Sequence, residues 1–503
     1  MSFDSILIAN RGEIACRIMQ TAQNMGIKCI AVYVDADSDA PFVKMADEAV
    51  RLSSNYMDSE SIILAAKQTG AQAVHPGYGF LSENAIFAQK CADAGVVFIG
   101  PSVESINLLG NKANARELAK SVDIPVISGT RDFVELEDAI SLAEGLSYPI
   151  AVKASFGGGG RGIRFANSKD QLAEAASIAQ KEAFAAFGNG TLYLEAQLRN
   201  VRHIEIQIIA DNFGNIIPLG ERECSIQRRN QKLIEECPSL VISPELRRTL
   251  SRAAVRLARA ANYQNIGTVE FLVTPEQNFF FLEMNTRLQV EHPVTEFTMG
   301  VDLVKDQISV AANEELTYDE GDLLSRGWAI ECRVVSEDPF MNFKPSIGRV
   351  VFTREPAGPG IRVESALYDG VEVTAYYDSL LAKVTAWGPD RENARLRLQR
   401  ALKEFKVIGV ATNIPYLQQI LDSPDFILGN VDTSFLDSHK LTPLEPDVNA
   451  HSIVAIAAGL IRNQEKAQKR FTNPDGMQQR PNKWREAQGA FKERSMGRWI
   501  RNI

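Results

Sequence analysis

Gly267–Asn285 reads GTVEFLVTPEQNFFFLEMN and continues into Thr286–Glu296, TRLQVEHPVTE. Two runs rich in aromatic and β-branched residues flank a polar TPEQN, a pattern that predicts a β-hairpin. A turn centred on Glu276 and Gln277 sets Glu270 opposite Glu283, with Cβ atoms about 5 Å apart. The turn carries no glycine, and a slip of one residue would send Glu270 to the other face. Continued as an extended strand, Glu283–Glu291 places Glu283, Asn285, Arg287, Gln289 and Glu291 on one side. FFFL ahead of Glu283 predicts a strand buried on both faces, where an unpaired carboxylate would be costly, so positive charge is expected beside it. The competing reading is a charged strand edge facing water. Two carboxylates this close call for a cation, and hard oxygen ligands suit Mg²⁺ or Mn²⁺ bound together with substrate phosphates. A nucleotide is therefore expected.

The rest of the chain bounds this reading. Its 503 residues are 45% apolar, enough for three or so domains. A net charge of −9 argues against a nucleic-acid-binding protein as a whole. Six cysteines (Cys16, Cys29, Cys91, Cys224, Cys237, Cys332) are scattered without a CxxC pair, as in a reducing compartment, and offer no zinc site. The opening residues run directly into an apolar strand without a signal or transit pattern, and no window is long and apolar enough for a membrane span. A cytoplasmic protein, with neither nucleic acid nor membrane as partner, is expected.

From the N-terminus, SILIAN, a helix from about Gly12 to Met25, IKCIAVYV, a helix near Ser59 to Gly70, AQAVHP, another helix and VVFIG alternate strand with helix. That alternation predicts a parallel sheet covered on both faces, with ligands at the strand ends and HPGYGFLSEN at one of them. From Asn111 a helix, NKANARELAK, leads into a small α/β unit from about Ile124 to Leu198. From Arg199 to about Leu441, long strands with charged residues inside them predict a mostly antiparallel sheet with helices.

Two further segments carry chemistry. Gly157, Gly159 and Gly162 in KASFGGGGRG have GxGxxG spacing, but the following IRFANS reads as a strand, and the helix starts only near Ser168. The fingerprint of a dinucleotide site needs strand then helix. The glycines instead read as a flexible hairpin tip whose backbone N–H groups fold over phosphates, with Lys153 as a point charge. In GERECSIQRRNQKLIEECP, Gln227, Arg228, Arg229, Asn230 and Lys232 crowd donors beside Glu221, Glu223, Glu235 and Glu236. A solvated face is the ordinary reading of such a run; beside a carboxylate metal site it reads as an anion pocket.

In chain order, IANRGEIACR, HPGYGFLSEN, KASFGGGGRG, VRHIEIQ, ERECSIQRRNQK, FLEMNTRLQVEHPVTE and AIECRVVSEDP resemble the biotin carboxylase component of biotin-dependent carboxylases, over roughly Phe3 to Leu441. QRRNQK and PSIGRV are most similar to the α subunits of acyl-CoA carboxylases of the propionyl-CoA and acetyl-CoA type. The resemblance implies an α/β (α+β) architecture. It comprises a Rossmann-like N-terminal domain (1–110), an ATP-grasp linker with a mobile glycine-rich lid (111–198) and a mostly antiparallel C-terminal domain (199–441).

It also implies roles. Lys112, Lys153, Gly159, Gly160, His203, Gln227 and Asn230 would hold ATP, with the backbone at Glu195, Ala196, Gln197 and Leu198 against adenine. Glu270, Glu283 and Asn285 would take the metals, and Glu270 and Glu283 would hold ATP as well. Lys232, Arg287, Gln289 and the Val290 backbone would cradle bicarbonate, with Glu291 as its base, and Tyr78, Gly79 and Arg333 would meet biotin. Catalysis would fall to Lys232, Arg287, Glu291 and Arg333. The family often has His where Asn230 stands, and some members carry an interfacial Arg at Gln20. Another ATP-grasp carboxylate ligase, or a non-catalytic ATP-binding scaffold, is the alternative. No Met-Lys-Met biotinylation motif follows the core, so biotin is expected on a separate carrier protein or domain. A carboxyltransferase subunit is the other expected partner, in a complex where this chain is homo-oligomeric. The tail (442–503) is basic, with Trp484, Phe491 and Trp499, and is expected to dock a partner.

Overall fold

The computed structural model describes residues 3–155 and 163–438. The glycine run, with Gly157, Gly159, Gly160 and Gly162, and the basic tail lie outside the described residues, so the expectations placed on them are carried no further by the structure.

The N-terminal region forms the expected parallel sheet, in the order Glu48–Arg51, Lys28–Tyr33, Ser5–Ile8, Ala73–His75, Val97–Phe98. Alternate residues enter different cores: Ile6 and Ile8 pack on one face with Ile14 and Ile18, while Leu7 packs on the other with Ile62 and Phe87. Both faces are thus buried, as a strand–helix alternation requires. The edge strand Glu48–Arg51 has no counterpart in the sequence reading, because its four residues are half charged and carry no apolar run. Strand order reverses between Ser5–Ile8 and Ala73–His75, and crevices at such switch points collect ligands. There Asn10 Nδ2 donates to the carbonyls of Pro76 (2.7 Å) and Tyr78 (2.8 Å), pinning the HPGYGFLSEN loop. Gly77 in that loop has φ +63°, and a Cβ on it would sit 2.9 Å from Asn10 Nδ2, so only glycine fits. The loop closes at Asn84, whose side chain accepts from Phe87 N and starts the helix Ala85–Asp93.

The middle unit has three antiparallel strands, Ile163–Ala166, Ile150–Ala154 and Leu192–Ala196, under the helix Lys169–Phe187. Strand, glycine run, strand, then helix is the order read from IRFANS.

The rest is built on an antiparallel sheet of eight strands, ordered Phe279–Asn285, Asn265–Val273, Arg202–Ala210, Ile216–Arg228, Gln231–Cys237, Trp328–Val335, Leu380–Gly388, Ile361–Ser365, with three two-stranded sheets beside it. Helix Pro244–Ala260 covers one half through Leu250 and Leu257, and Arg391–Glu404 covers the other through Leu398 and Leu402. The opposite face carries charge at alternate positions and forms the site.

The hairpin of Asn265–Val273 and Phe279–Asn285 is present with an altered register. Thr274 N bonds Asn278 O at 2.8 Å and Gln277 has φ +65°, so the loop is three residues, Pro275–Gln277, one shorter than a turn centred between Glu276 and Gln277. Val273 therefore faces Phe279 and Phe271 faces Phe281; a bulge at Leu282 then restores Glu270 opposite Glu283. Two other expectations need correction. FFFL is not buried on both faces: it lies on the sheet's edge, with Phe279, Phe280 and Leu282 half-buried, and the segment at Val126 bridges to Phe281. The strand also ends at Asn285, so Arg287, Gln289 and Glu291 do not reach the cleft by alternation. They reach it on a turn that leads into the helix His292–Met299.

Candidate active site

Two charged clusters share the inner face of the large sheet. The inner one is centred on Lys232, whose Nζ donates to Glu205 (2.5 Å), Glu270 (2.9 Å) and Glu291 (2.7 Å). The second oxygen of Glu291 accepts from Arg333 at 2.9 Å, and Arg333 Nε is bound to Glu235 at 2.5 Å. Arg222, fully buried, spans Glu205, Gln207 (2.7 Å), Thr268 (3.1 Å) and Thr295 (3.0 Å). Burial alone would raise the Glu291 carboxyl, but Lys232, Arg333 and Arg222 outweigh it and hold the group well below the ordinary carboxylate range. Glu270 is likewise held down by Lys232 and His203 against burial, and the three carboxylates keep Lys232 firmly protonated. At the far end burial pushes Glu235 up to about 7, with Arg333 opposing the shift.

A bulge makes this geometry. Gln227 pairs with Lys232 and Ile226 with Ile234, which leaves Leu233 as the extra residue. Lys232 and Glu235 consequently share a face, although alternation would separate them.

The turn after Asn285 is tied to the N-terminal sheet. Glu83, in HPGYGFLSEN, accepts from Arg287 Nε at 2.8 Å and from Thr286 N at 3.1 Å. Arg287 also donates to Asn285 Oδ1 and Gln289 Oε1, each at 3.2 Å, and Gln289 Nε2 reaches Glu270 at 3.3 Å. Thus Asn285, Arg287, Gln289 and Glu291 do converge on Glu270.

The outer cluster joins the large sheet to the middle unit. Lys112, at the N-terminus of helix Lys112–Ser121, lies 3.0 Å from Glu283. Burial would lower the Lys112 ammonium, but Glu283 and Tyr193 raise it above the ordinary lysine range. Lys153 and Arg116 both pair with Glu195. Ala196 N and Gln197 N bond Ser128 O and Pro149 O, both at 2.9 Å, which holds the strand end leading to Leu198. Between the clusters, Gln227 Nε2 donates to His203 Nδ1 (2.8 Å), which puts the ring proton on Nε2, 3.0 Å from Glu270.

Most residues singled out in the sequence therefore meet in one cleft. The exceptions come from the GERECSIQRRNQKLIEECP run: Arg229 and Asn230 sit exposed at a two-residue hairpin tip with φ +49° and +63°, Arg228 turns to the Asn342 carbonyl (3.0 Å), and Glu221, Glu223 and Glu236 pair outside the cleft with Arg247, Ser239 and Arg391. Tyr78 and Gly79 lie on the pinned loop, with the Tyr78 ring 5.7 Å from Lys383 Nζ.

Sequence reasoning missed Glu205, Arg222, Glu83 and Lys383. VRHIEIQ carried a signal for the first, because a period of two from His203 picks out Glu205 and Gln207.

Oxygen donors dominate the mid-cleft. Glu270 and Glu283 are strand partners with Asn285 two residues on, and Glu205 lies opposite Glu270 on the neighbouring strand. Hard divalent ions fit such a set.

A switch-point parallel sheet, a small glycine-run sheet and a large antiparallel sheet bearing a charged cleft define the ATP-grasp class. Family models match the whole of this framework: "Biotin carboxylase, N-terminal domain" over 2–106, "Carbamoyl-phosphate synthase L chain, ATP binding domain" over 111–318, and "Biotin carboxylase C-terminal domain" over 331–438. The chain is 48% identical over 442 residues to the biotin carboxylase of Nostoc sp., covering 87% of this chain and 99% of that one. It is 44% identical over 490 residues to the mitochondrial propionyl-CoA carboxylase alpha chain of Sus scrofa, covering 94% of this chain and 67% of that one. The biotin carboxylase domain dimer of Hydrogenobacter thermophilus 2-oxoglutarate carboxylase, solved with MgADP, ADP and bicarbonate, superposes with a TM-score of 0.86 at 44% identity, covering 88% of this chain and all of that one. The chain belongs to the biotin carboxylase family, the ATP-dependent ligases that carboxylate biotin.

Proposed function

We propose that this chain uses ATP and bicarbonate to carboxylate biotin held on a separate carrier protein or domain, the first half-reaction of a biotin-dependent acyl-CoA carboxylase. One observation carries the assignment of roles: the two oxygens of Glu291 bind different cations, Lys232 at 2.7 Å toward Glu270 and Arg333 at 2.9 Å on the other side. A base lying between a phosphate-handling lysine and a second cation stands where bicarbonate must lose its proton.

In this reading Lys112, Lys153, His203 and Gln227, with the Gly159–Gly160 backbone, hold the ATP phosphates, and Glu195–Leu198 borders adenine. Glu270, Glu283 and Asn285 would hold Mg²⁺ or Mn²⁺, which would neutralise charge on the transferring phosphoryl group. Arg287, Gln289, Lys232 and the Val290 backbone orient bicarbonate, and Glu291 removes its proton. The bicarbonate oxygen attacks the γ-phosphorus, the bond to the ADP oxygen breaks, and carboxyphosphate and ADP result. Carboxyphosphate then divides into CO₂ and phosphate. The phosphate takes the N1 proton of biotin, Arg333 stabilises the charge that develops on the ureido oxygen, and N1 attacks CO₂. Tyr78 and Gly79, on the loop pinned by Asn10, border the biotin.

The reading places the chain in the cytoplasm within a homo-oligomeric complex that includes a carboxyltransferase. Among the described residues no helix is long and apolar enough to cross a membrane. The test is ADP release with and without bicarbonate, together with carboxylation of free biotin. ATP turnover that ignores bicarbonate would refute the reading. An avidin blot of the chain made in a host with biotin ligase should be negative; a strong band would place biotin on this chain rather than on a carrier.

A further inference from the structure

Lys383 stands in the apolar strand run LLAKVTAW with its side chain fully buried. Its ammonium donates to the Val290 carbonyl at 2.7 Å, lies 2.6 Å from Glu364 and 3.5 Å from Glu13, and sits 5.7 Å from the centre of the Tyr78 ring. Neutralising Glu364 does not account for a lysine here, because Arg362 already pairs with Glu364 and Arg17 lies 3.4 Å from it. Lys383 is also the cation paired with Glu13, but beyond neutralising charge it supplies a charged donor to one backbone carbonyl. That carbonyl belongs to the peptide unit whose N–H is that of Glu291. A peptide unit is planar, so holding its oxygen fixes the plane from which the Glu291 Cα departs. Glu291 then enters the helix His292–Met299 as its N-cap residue, with φ −81° and ψ 13°.

We propose that Lys383 is a positioning residue for the reaction, which through the Val290 carbonyl aims the Glu291 carboxylate and the Val290 backbone at bicarbonate. The proposal rests on the functional reading above. Lys383 also lies against Tyr78, so one buried ammonium sets the bicarbonate turn and the loop bordering biotin relative to each other.

The experiment is steady-state kinetics of bicarbonate-dependent ADP release for the full chain and for Lys383→Met. Loss of one charge-assisted hydrogen bond predicts a rise of about tenfold or more in KM for bicarbonate, with a lower kcat and an unchanged KM for ATP. Because Lys383→Met leaves the buried Glu13 without its paired cation, Lys383→Met with Glu13→Gln is the variant to use if the single one does not fold. Glu364→Gln alone keeps the bond to Val290, and it should lower the melting temperature while leaving KM for bicarbonate at the parent value. Three results would overturn the proposal: an active parent with unchanged bicarbonate kinetics in Lys383→Met, a parallel rise of both KM values, or Glu364→Gln reproducing the bicarbonate defect. A parent without bicarbonate-dependent turnover would instead overturn the functional reading, and the proposal with it.

Discussion

The two charged clusters of the cleft are built differently. Around Lys232, every partner projects from the large sheet or from the turn leading into helix His292–Met299, and the carboxylates of Glu205, Glu270 and Glu291 are at most 5% exposed. Around Lys112 and Lys153 the charges come from separate elements, and Glu283 keeps 24% of its side chain exposed. Bicarbonate chemistry needs groups that are already in place before substrate arrives, because reorganising buried dipoles during reaction is costly. A nucleotide that must enter and leave is better served by charges on parts able to separate.

The largest expected effect breaks the inner cluster's chemistry and spares the outer cluster. Glu291→Gln should retain ATP binding and lose about 10²- to 10⁴-fold in biotin carboxylation, the usual cost of a missing general base. An equal loss of ATP affinity, measured by titration calorimetry, would mean that the two clusters act as one.

Next comes stability. Lys232→Met removes the cation shared by three buried carboxylates, and a broken buried ion pair costs ~3–5 kcal/mol. Lys112→Met touches a partly exposed pair, for which ~1 kcal/mol or less is expected. Thermal unfolding of both variants checks the ranking, and equal losses would erase the contrast in burial.

Smaller again is the coupling between clusters through the strand partners Glu270 and Glu283. Glu270→Gln, Glu283→Gln and the double variant should be non-additive in metal-dependent ATP turnover, by roughly 0.5–3 kcal/mol. Additive losses would assign the two carboxylates to separate functions and sharpen the comparison.

The remaining test is read in its pH dependence. Burial pushes Glu331 up to about 8, against the opposing charge of Lys383. In the unfolded chain that carboxyl ionises near its ordinary value of about 4.3. Between these two values the folded state holds a proton that the unfolded state has released, so Glu331 subtracts stability as pH rises through the window. Glu331→Gln should therefore gain melting temperature over the parent by an amount that grows from pH 5 to pH 8. A difference independent of pH would show that Glu331 is ionised in the fold.

Much of this arrangement was legible in the chain. Strand–helix alternation to Gly100 gave the parallel sheet, and a period of two in VRHIEIQ and AIECRVV holds His203 with Glu205 and Glu331 with Arg333. What could not be read is where the period fails. Extra residues at Leu282 and Leu233 reverse the facing of everything beyond them, and neither leucine differs in type from its neighbours. The pairing of Glu83 with Arg287 was hidden for a related reason: it depends on a partner distant in the chain.

Sequence by itself determined which chemical groups are present, their local periodicity, and, through long motifs in order, the family. Tertiary structure alone decided the rest: which carboxylate meets which cation, that Arg287, Gln289 and Glu291 arrive on a turn rather than a strand, and that Lys383 reaches the Val290 carbonyl. The physical reason is range. Propensity and hydrophobic periodicity act over a few neighbouring residues, whereas bulges, ion pairs and buried hydrogen bonds are settled by packing between segments as far apart as Val290 and Lys383.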